Sequence, residues 1–308
     1  MERRSALKAA VALFAGANLA SAATAQTPPR RNQSKLDATF PFLETGRRTR
    51  LFYKDWGMSE RAVVFVHGWP MNADMWDLQM LHVAGAGLRA ISYDQRGCGR
   101  STDPGDGYAF DTLADDLASI IEQLDLRSVV LVGHSIGCGQ IVRYLTRHGG
   151  SRVSGILLLS ASLPYVQRAP DNPDGLDPKH FDSVRHQIAT DPAKWVARAA
   201  QLSFPSEASP EMLQWGIRLS LNNSFRAMIA TSHIDVETDF RPELPTLSAR
   251  TLVAHGDGDL TCAFELTGRR AAALIPGAQL KVYPGAGHLL FLTHSAQFND
   301  DLLAFAGA

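Results

Sequence analysis

The apolar run Val129-Val130-Leu131-Val132 leads directly into Gly133-His134-Ser135-Ile136-Gly137, and Ile141-Val142-Arg143-Tyr144-Leu145 continues with helical character. A strand that ends in Gly-x-Ser-x-Gly and reopens as a helix presents its serine on a sharp turn. Such a turn crowds the backbone, so the positions two before and two after the serine must be nearly free of side chain. Gly133 and Gly137 meet that demand. The helix N-terminus that follows favours negative charge forming beside Ser135. The arrangement makes Ser135 a candidate nucleophile and requires a sheet strand to carry it.

The rest of the chain alternates in the same way. Strand signals occur at Thr49–Lys54, Ala62–Val66, Leu88–Tyr93, Ser128–Val132, Ile156–Leu159, Thr251–Ala254 and Leu280–Tyr283. Helical patterns lie between them at Asp111–Leu126, Ile136–His148, Glu265–Leu274 and Ser295–Phe305. Alternation of this kind predicts an α/β fold, a mostly parallel central sheet flanked by helices. One long interruption follows Ser160. Up to Leu247 no strand signal appears, and helix-like stretches occupy Phe181–Ile188, Pro192–Gln201, Pro210–Leu219 and Asn223–His233. An insertion of this size after the C-terminal end of a strand predicts a helical cap over the site. The expected division is therefore a core of residues 37–163 and 247–308 with a cap of residues 164–246.

The N-terminus has a different character. Met1–Lys8 is charged, Ala9–Ala20 is mildly apolar, and Ala23-Thr24-Ala25 is a small-residue cleavage pattern before Gln26. Residues 1–25 are expected to be an export signal, too short and too weakly apolar to span a membrane. Arg3-Arg4 resembles a twin-arginine signal, with an ordinary secretory signal as the alternative. Residues 26–36, with Pro28-Pro29-Arg30-Arg31, read as a linker. The expected location is periplasmic or secreted. A net charge of −1 and no basic stripe give no footprint for nucleic acid. The three cysteines, Cys98, Cys138 and Cys262, show no zinc spacing and no disulfide framework, although a single bridge stays open.

A serine hydroxyl needs a base within hydrogen-bond reach, and the base needs an orienting carboxylate. In folds with this elbow the chain order is serine, acid, histidine. Asp259 lies in His255-Gly256-Asp257-Gly258-Asp259, just past one strand, and His288 lies in Pro284-Gly285-Ala286-Gly287-His288, just past the last. Both fall at C-terminal strand ends, on the same side of the sheet as Ser135. Asp257 is the rival acid, with a turn-stabilising role as its other reading. His67 and His255, each closing a strand, are expected to be satisfied by backbone groups, and His134 to lie beneath the elbow. The backbone N–H groups of Trp69, in His67-Gly68-Trp69-Pro70, and of Ile136 are the candidate oxyanion donors. Phe264, on the acid loop, is a candidate wall of the substrate pocket.

With these residues placed, the chain resembles an α/β-hydrolase of the cofactor-free haloperoxidase, perhydrolase and arylesterase group. The likeness runs from about Phe40 to Phe305. It is carried by Val66-His67-Gly68-Trp69-Pro70, Asn72–Trp76, Tyr93–Ser101, Phe110–Leu117, the elbow, Asp171–Gly175, Glu237-Thr238-Asp239-Phe240, the acid loop and Gly285-Ala286-Gly287-His288. The resemblance implies a Ser135–Asp259–His288 triad and an acyl-enzyme formed from carboxylic esters. It further implies peracid formation from a carboxylic acid and hydrogen peroxide, with no cofactor and no metal. Halide is then oxidised by the peracid away from any dedicated halide site. The Trp69-Pro70 pair is similar to members that favour peroxide as acyl acceptor. Three positions depart from the group: Ile136 stands where Met is usual, Cys98 where His is common, and Cys138 where Gly is common. Cys138 reads as a small packed residue. A serine at the elbow argues against epoxide and dehalogenation chemistry, which use aspartate there. A lactonase and a slowly turning ligand receptor remain as alternatives. No membrane partner is implied, and self-association is left open.

Overall fold

The computed structural model describes residues 41–46, 48–204 and 208–307. The expected export signal, the linker and the first residues of the core, 37–40, lie outside the described residues.

Eight strands form one sheet: β1 (Phe42–Thr45), β2 (Thr49–Trp56), β3 (Ala62–Val66), β4 (Arg89–Tyr93), β5 (Val129–His134), β6 (Val153–Leu159), β7 (Thr251–Gly256) and β8 (Gln279–Tyr283). Their spatial order is β1-β2-β4-β3-β5-β6-β7-β8. β2 pairs antiparallel with both of its neighbours, and every other pairing is parallel. Every residue of β3, β4, β5 and β7 is buried, the pattern of strands covered on both faces, whereas β2 alternates over its first five residues.

The core helices are α1 (Asp77–Gly85), α2 (Phe110–Gln123), α3 (Ile136–His148), α8 (Gly268–Leu274), α9 (Leu290–Thr293) and α10 (Ser295–Ala306), while α4 to α7 lie between β6 and β7. Phe65, Met75, Trp76, Met80, Phe291, Phe298 and Leu302 form one apolar layer against the sheet. Trp76 sits 5.1 Å from Phe65 and 4.9 Å from Phe291 between ring centroids. Beyond the expected elements the chain forms β1, a four-residue strand at the sheet edge, and α1. α1 turns Leu78 and Leu81 outward and buries Gln79, so its apolar residues do not mark one face.

The cap helices have clear local origins. α4 (Pro178–Thr190), α5 (Pro192–Ser203) and α6 (Pro210–Leu221) each begin with proline after a capping side chain. Asp177, Asp191 and Ser209 accept the amides of Lys179, Lys194 and Met212. α7 (Phe225–Glu237) is capped by Ser224, whose hydroxyl accepts the Ala227 amide.

Candidate active site

Ser135 stands between β5 and α3 with φ 55° and ψ −123°, a conformation that costs a non-glycine residue energy and persists only where its surroundings impose it. Those surroundings are visible. A Cβ at Gly133 would meet Gly137 O at 2.8 Å, and one at Gly137 would meet Val66 O at 2.6 Å. The Ser135 amide donates to Leu159 O at 3.0 Å, fastening the turn to the end of β6.

Asp259 and His288 come together from the loops after β7 and β8. The His288 Nδ1–H donates to Asp259 Oδ2 at 2.8 Å. That tautomer leaves Nε2 as the basic nitrogen. The other carboxylate oxygen, Oδ1, accepts the amides of Thr261 and Cys262, both at 2.8 Å. Burial alone would raise the Asp259 carboxyl, but the His288 charge, the two histidine contacts and the Cys262 amide outweigh it and hold the group well below the usual carboxylate range. Asp257 is exposed, and its Oδ1 accepts the Gly285 amide at 2.6 Å. Of the two rivals, Asp259 is the one bonded to His288, and Asp257 ties the acid loop to the histidine loop.

Three other histidines build the frame. His67 donates from Nδ1 to Gly68 O at 3.0 Å and accepts the Gln95 amide at Nε2, while Gln95 Nε2 donates to His67 O at 2.8 Å. This clamp holds the loop that carries Trp69. His134 lies beneath the elbow as expected and donates from Nε2 to His288 O at 3.0 Å. Burial, and then the charge of His288, keeps it neutral. His255 differs from the expectation of backbone partners alone. Its Nε2–H donates to Cys262 O at 2.9 Å and also lies 3.2 Å from Asp259 Oδ2. The i, i+4 spacing of His255 and Asp259 was the available signal.

The Trp69 amide makes no hydrogen bond among the described residues, and the Ile136 amide is the first of α3, where a helix leaves its N–H groups without intrahelical partners. Both are thus available to a developing oxyanion. The Trp69 indole donates to Met228 O at 3.0 Å on α7 and packs 5.1 Å from Trp195 on α5. A cavity of about 40 Å³ reaches His288 between Trp69, Pro70, Trp195, Val196 and Phe204. A second, of about 10 Å³, lies between Trp69, Ile136, Met228 and Thr231. Phe264 is buried and packs on the His255 ring at 5.6 Å under the Arg269 guanidinium, and it lines neither of these two cavities. The Cys138 thiol donates to Gly133 O at 3.1 Å, the packed position expected of it. Burial raises the Cys262 thiol, which lies within hydrogen-bonding reach of the Ser135 hydroxyl.

A family model described as the alpha/beta hydrolase fold matches residues 61–295. The chain is 39% identical over 274 residues to the non-heme chloroperoxidase CPO-A1 of Kitasatospora aureofaciens, covering 86% of this chain and 98% of that protein. It is 34% identical over 275 residues to the bifunctional esterase/perhydrolase DCH of Acinetobacter calcoaceticus, covering 86% and 98%. Among solved structures, an esterase from Exiguobacterium antarcticum superposes with a TM-score of 0.84 at 30% identity, over 87% of this chain and 99% of that one.

Proposed function

The chain belongs to the α/β-hydrolase family, within its non-heme haloperoxidase and perhydrolase group, and on that premise we propose that it is a serine esterase whose acyl-enzyme is released to water or to hydrogen peroxide. Ser135 Oγ attacks the ester carbonyl as His288 Nε2 takes its proton. The alcohol leaves with that proton, and the acyl group stays on Ser135. His288 then deprotonates water, giving the acid, or hydrogen peroxide, giving the peracid, and Ser135 regains its hydrogen. The peracid oxidises halide in solution, transferring one oxygen and returning the carboxylic acid.

The observation that carries this reading is the 2.8 Å bond from His288 to an Asp259 carboxylate fixed by two amides, on the same side of the sheet as the strained Ser135. The fixed charge stabilises the imidazolium that forms as Ser135 attacks. The amides of Trp69 and Ile136 are assigned to the oxyanion, where one donor contributes about 3–4 kcal/mol in the transition state. The apolar lining by Trp69, Trp195, Val196 and Phe204 supports an alkyl or aryl ester substrate. Steady-state hydrolysis of p-nitrophenyl acetate tests the reading: turnover is expected, and its complete absence overturns it. Export to the periplasm or medium is part of the same proposal and rests on residues 1–25.

A further inference from the structure

One ionisable group at the site has no place in the triad. Asp235 is on α7, a turn beyond Thr231 and two turns beyond Met228, so the three share a helix face. Thr231 and Met228 line the cavity that also contains Ile136 and Trp69. Asp235 Oδ1 accepts the Ser162 hydroxyl at 2.6 Å. Ser162 is buried and lies three residues after Leu159, whose carbonyl holds the Ser135 amide. The carboxyl interacts electrostatically with His288, and also with the Cys262 and Cys138 thiols that flank the elbow.

No other bond engages Asp235, and no Lys or Arg pairs with it among the described residues. Its second oxygen has no hydrogen-bond partner among the described residues and is open to solvent. A half-buried carboxylate with one hydroxyl partner and no cation is an incomplete charge. In an apolar site such a group favours a ligand that brings the missing positive charge.

We propose that Asp235, held by Ser162, is a specificity-determining residue that favours esters carrying a cationic group on the part of the molecule facing α7. The inference rests on the serine-esterase reading above and names a substrate class within it. Burial, the largest influence, pushes the Asp235 carboxyl up to about 6, against the Ser162 hydrogen bond and His288. Its charge, and with it the preference, is then present above that pH and lost below it. The groups facing Asp235 are Ser162 from the loop after β6, Cys138 from α3, Cys262 from the acid loop and His288. On its own helix, His233 pairs with Glu237 instead. The two thiols stay neutral because burial raises both, and His288 serves as base for both esters, so a ratio of the two removes its role in the chemistry.

The test uses the full chain and two phenyl esters of matched shape, one of 4-(trimethylammonio)butanoate and one of 5,5-dimethylhexanoate. Wild-type protein is expected to favour the cationic ester on the order of tenfold in kcat/KM at pH 8, with the ratio falling below pH 6. Asp235→Asn should bring the ratio near one, and Asp235→Glu should retain most of the preference. A purely structural role would lower both rates and leave the ratio intact, overturning the inference while the esterase reading stands. Failure of wild type to turn over either ester would overturn the inference, and the esterase reading with it only if p-nitrophenyl acetate is not hydrolysed either.

Discussion

Asp259 accepts the His288 Nδ1–H on one oxygen and two backbone amides on the other, so the carboxylate can neither rotate nor protonate readily at working pH. Asp257, two residues away, accepts the amide of Gly285 and no other group among the described residues. Asp259→Asn is therefore expected to lower kcat on the order of 10³–10⁴-fold, by removing both the charge and the tautomer it selects. Asp257→Asn should cost far less. Ester hydrolysis by the two variants checks this, and the opposite order would move the acid to Asp257.

Stability should fall as the solution becomes acidic. Burial is the largest influence on both His67 and His134 and lowers both imidazoles below the ordinary histidine value. Below about pH 6.5 the unfolded chain binds protons that these two folded histidines do not. Their contribution is therefore fully present above that pH and is lost as pH falls through it. Asp259, depressed by its partners, has the same sign at lower pH, below about 4. Urea midpoints at pH 7.5 and 5 should differ more in wild type than in His134→Gln. Equal pH dependence in the two proteins would contradict this account.

Trp69 and Pro70 line both small cavities, one shared with Ile136 and the other with His288. In the proposed mechanism this is where water and peroxide compete for the acyl-enzyme. Pro70→Leu is expected to reduce the ratio of perhydrolysis to hydrolysis severalfold. Parallel assays of peracid and acid from one acyl donor measure it. An unchanged ratio would remove Pro70 as the source of peroxide preference.

The export proposal predicts a mature N-terminus near Gln26. Intact-mass measurement of protein recovered from the periplasm or medium of its native host should show loss of residues 1–25. A full-length species confined to the cytoplasm would reject the proposal.

The parts of the fold legible in the sequence were those enforced locally. The elbow announced itself because steric crowding admits only glycine at 133 and 137. The helices between β6 and β7 were expected at Phe181–Ile188, Pro192–Gln201, Pro210–Leu219 and Asn223–His233, and the first of them starts earlier, at Pro178, because Asp177 caps it. β1 escaped because four residues at a sheet edge gain their stability from pairing with β2. α1 escaped because Leu78 and Leu81 face outward while Gln79 is buried and bonded to Phe291 O. At the site, the candidate nucleophile, acid and base were read from motif order, with Asp259 favoured over Asp257, and the fold brings Asp259 within 2.8 Å of His288. Asp235 and Ser162 are 73 residues apart, so the bond between them exists only once the cap is seated on the core.

The central claim is that one serine acyl-enzyme supports both hydrolysis and perhydrolysis. Bromination of a dye with acetate, hydrogen peroxide and a chelator, by wild type and Ser135→Ala, tests it most directly. Wild type should brominate at a rate the chelator does not change, and Ser135→Ala should lose on the order of 10⁴-fold or more. Bromination that survives in Ser135→Ala, or that the chelator abolishes in wild type, would contradict the account.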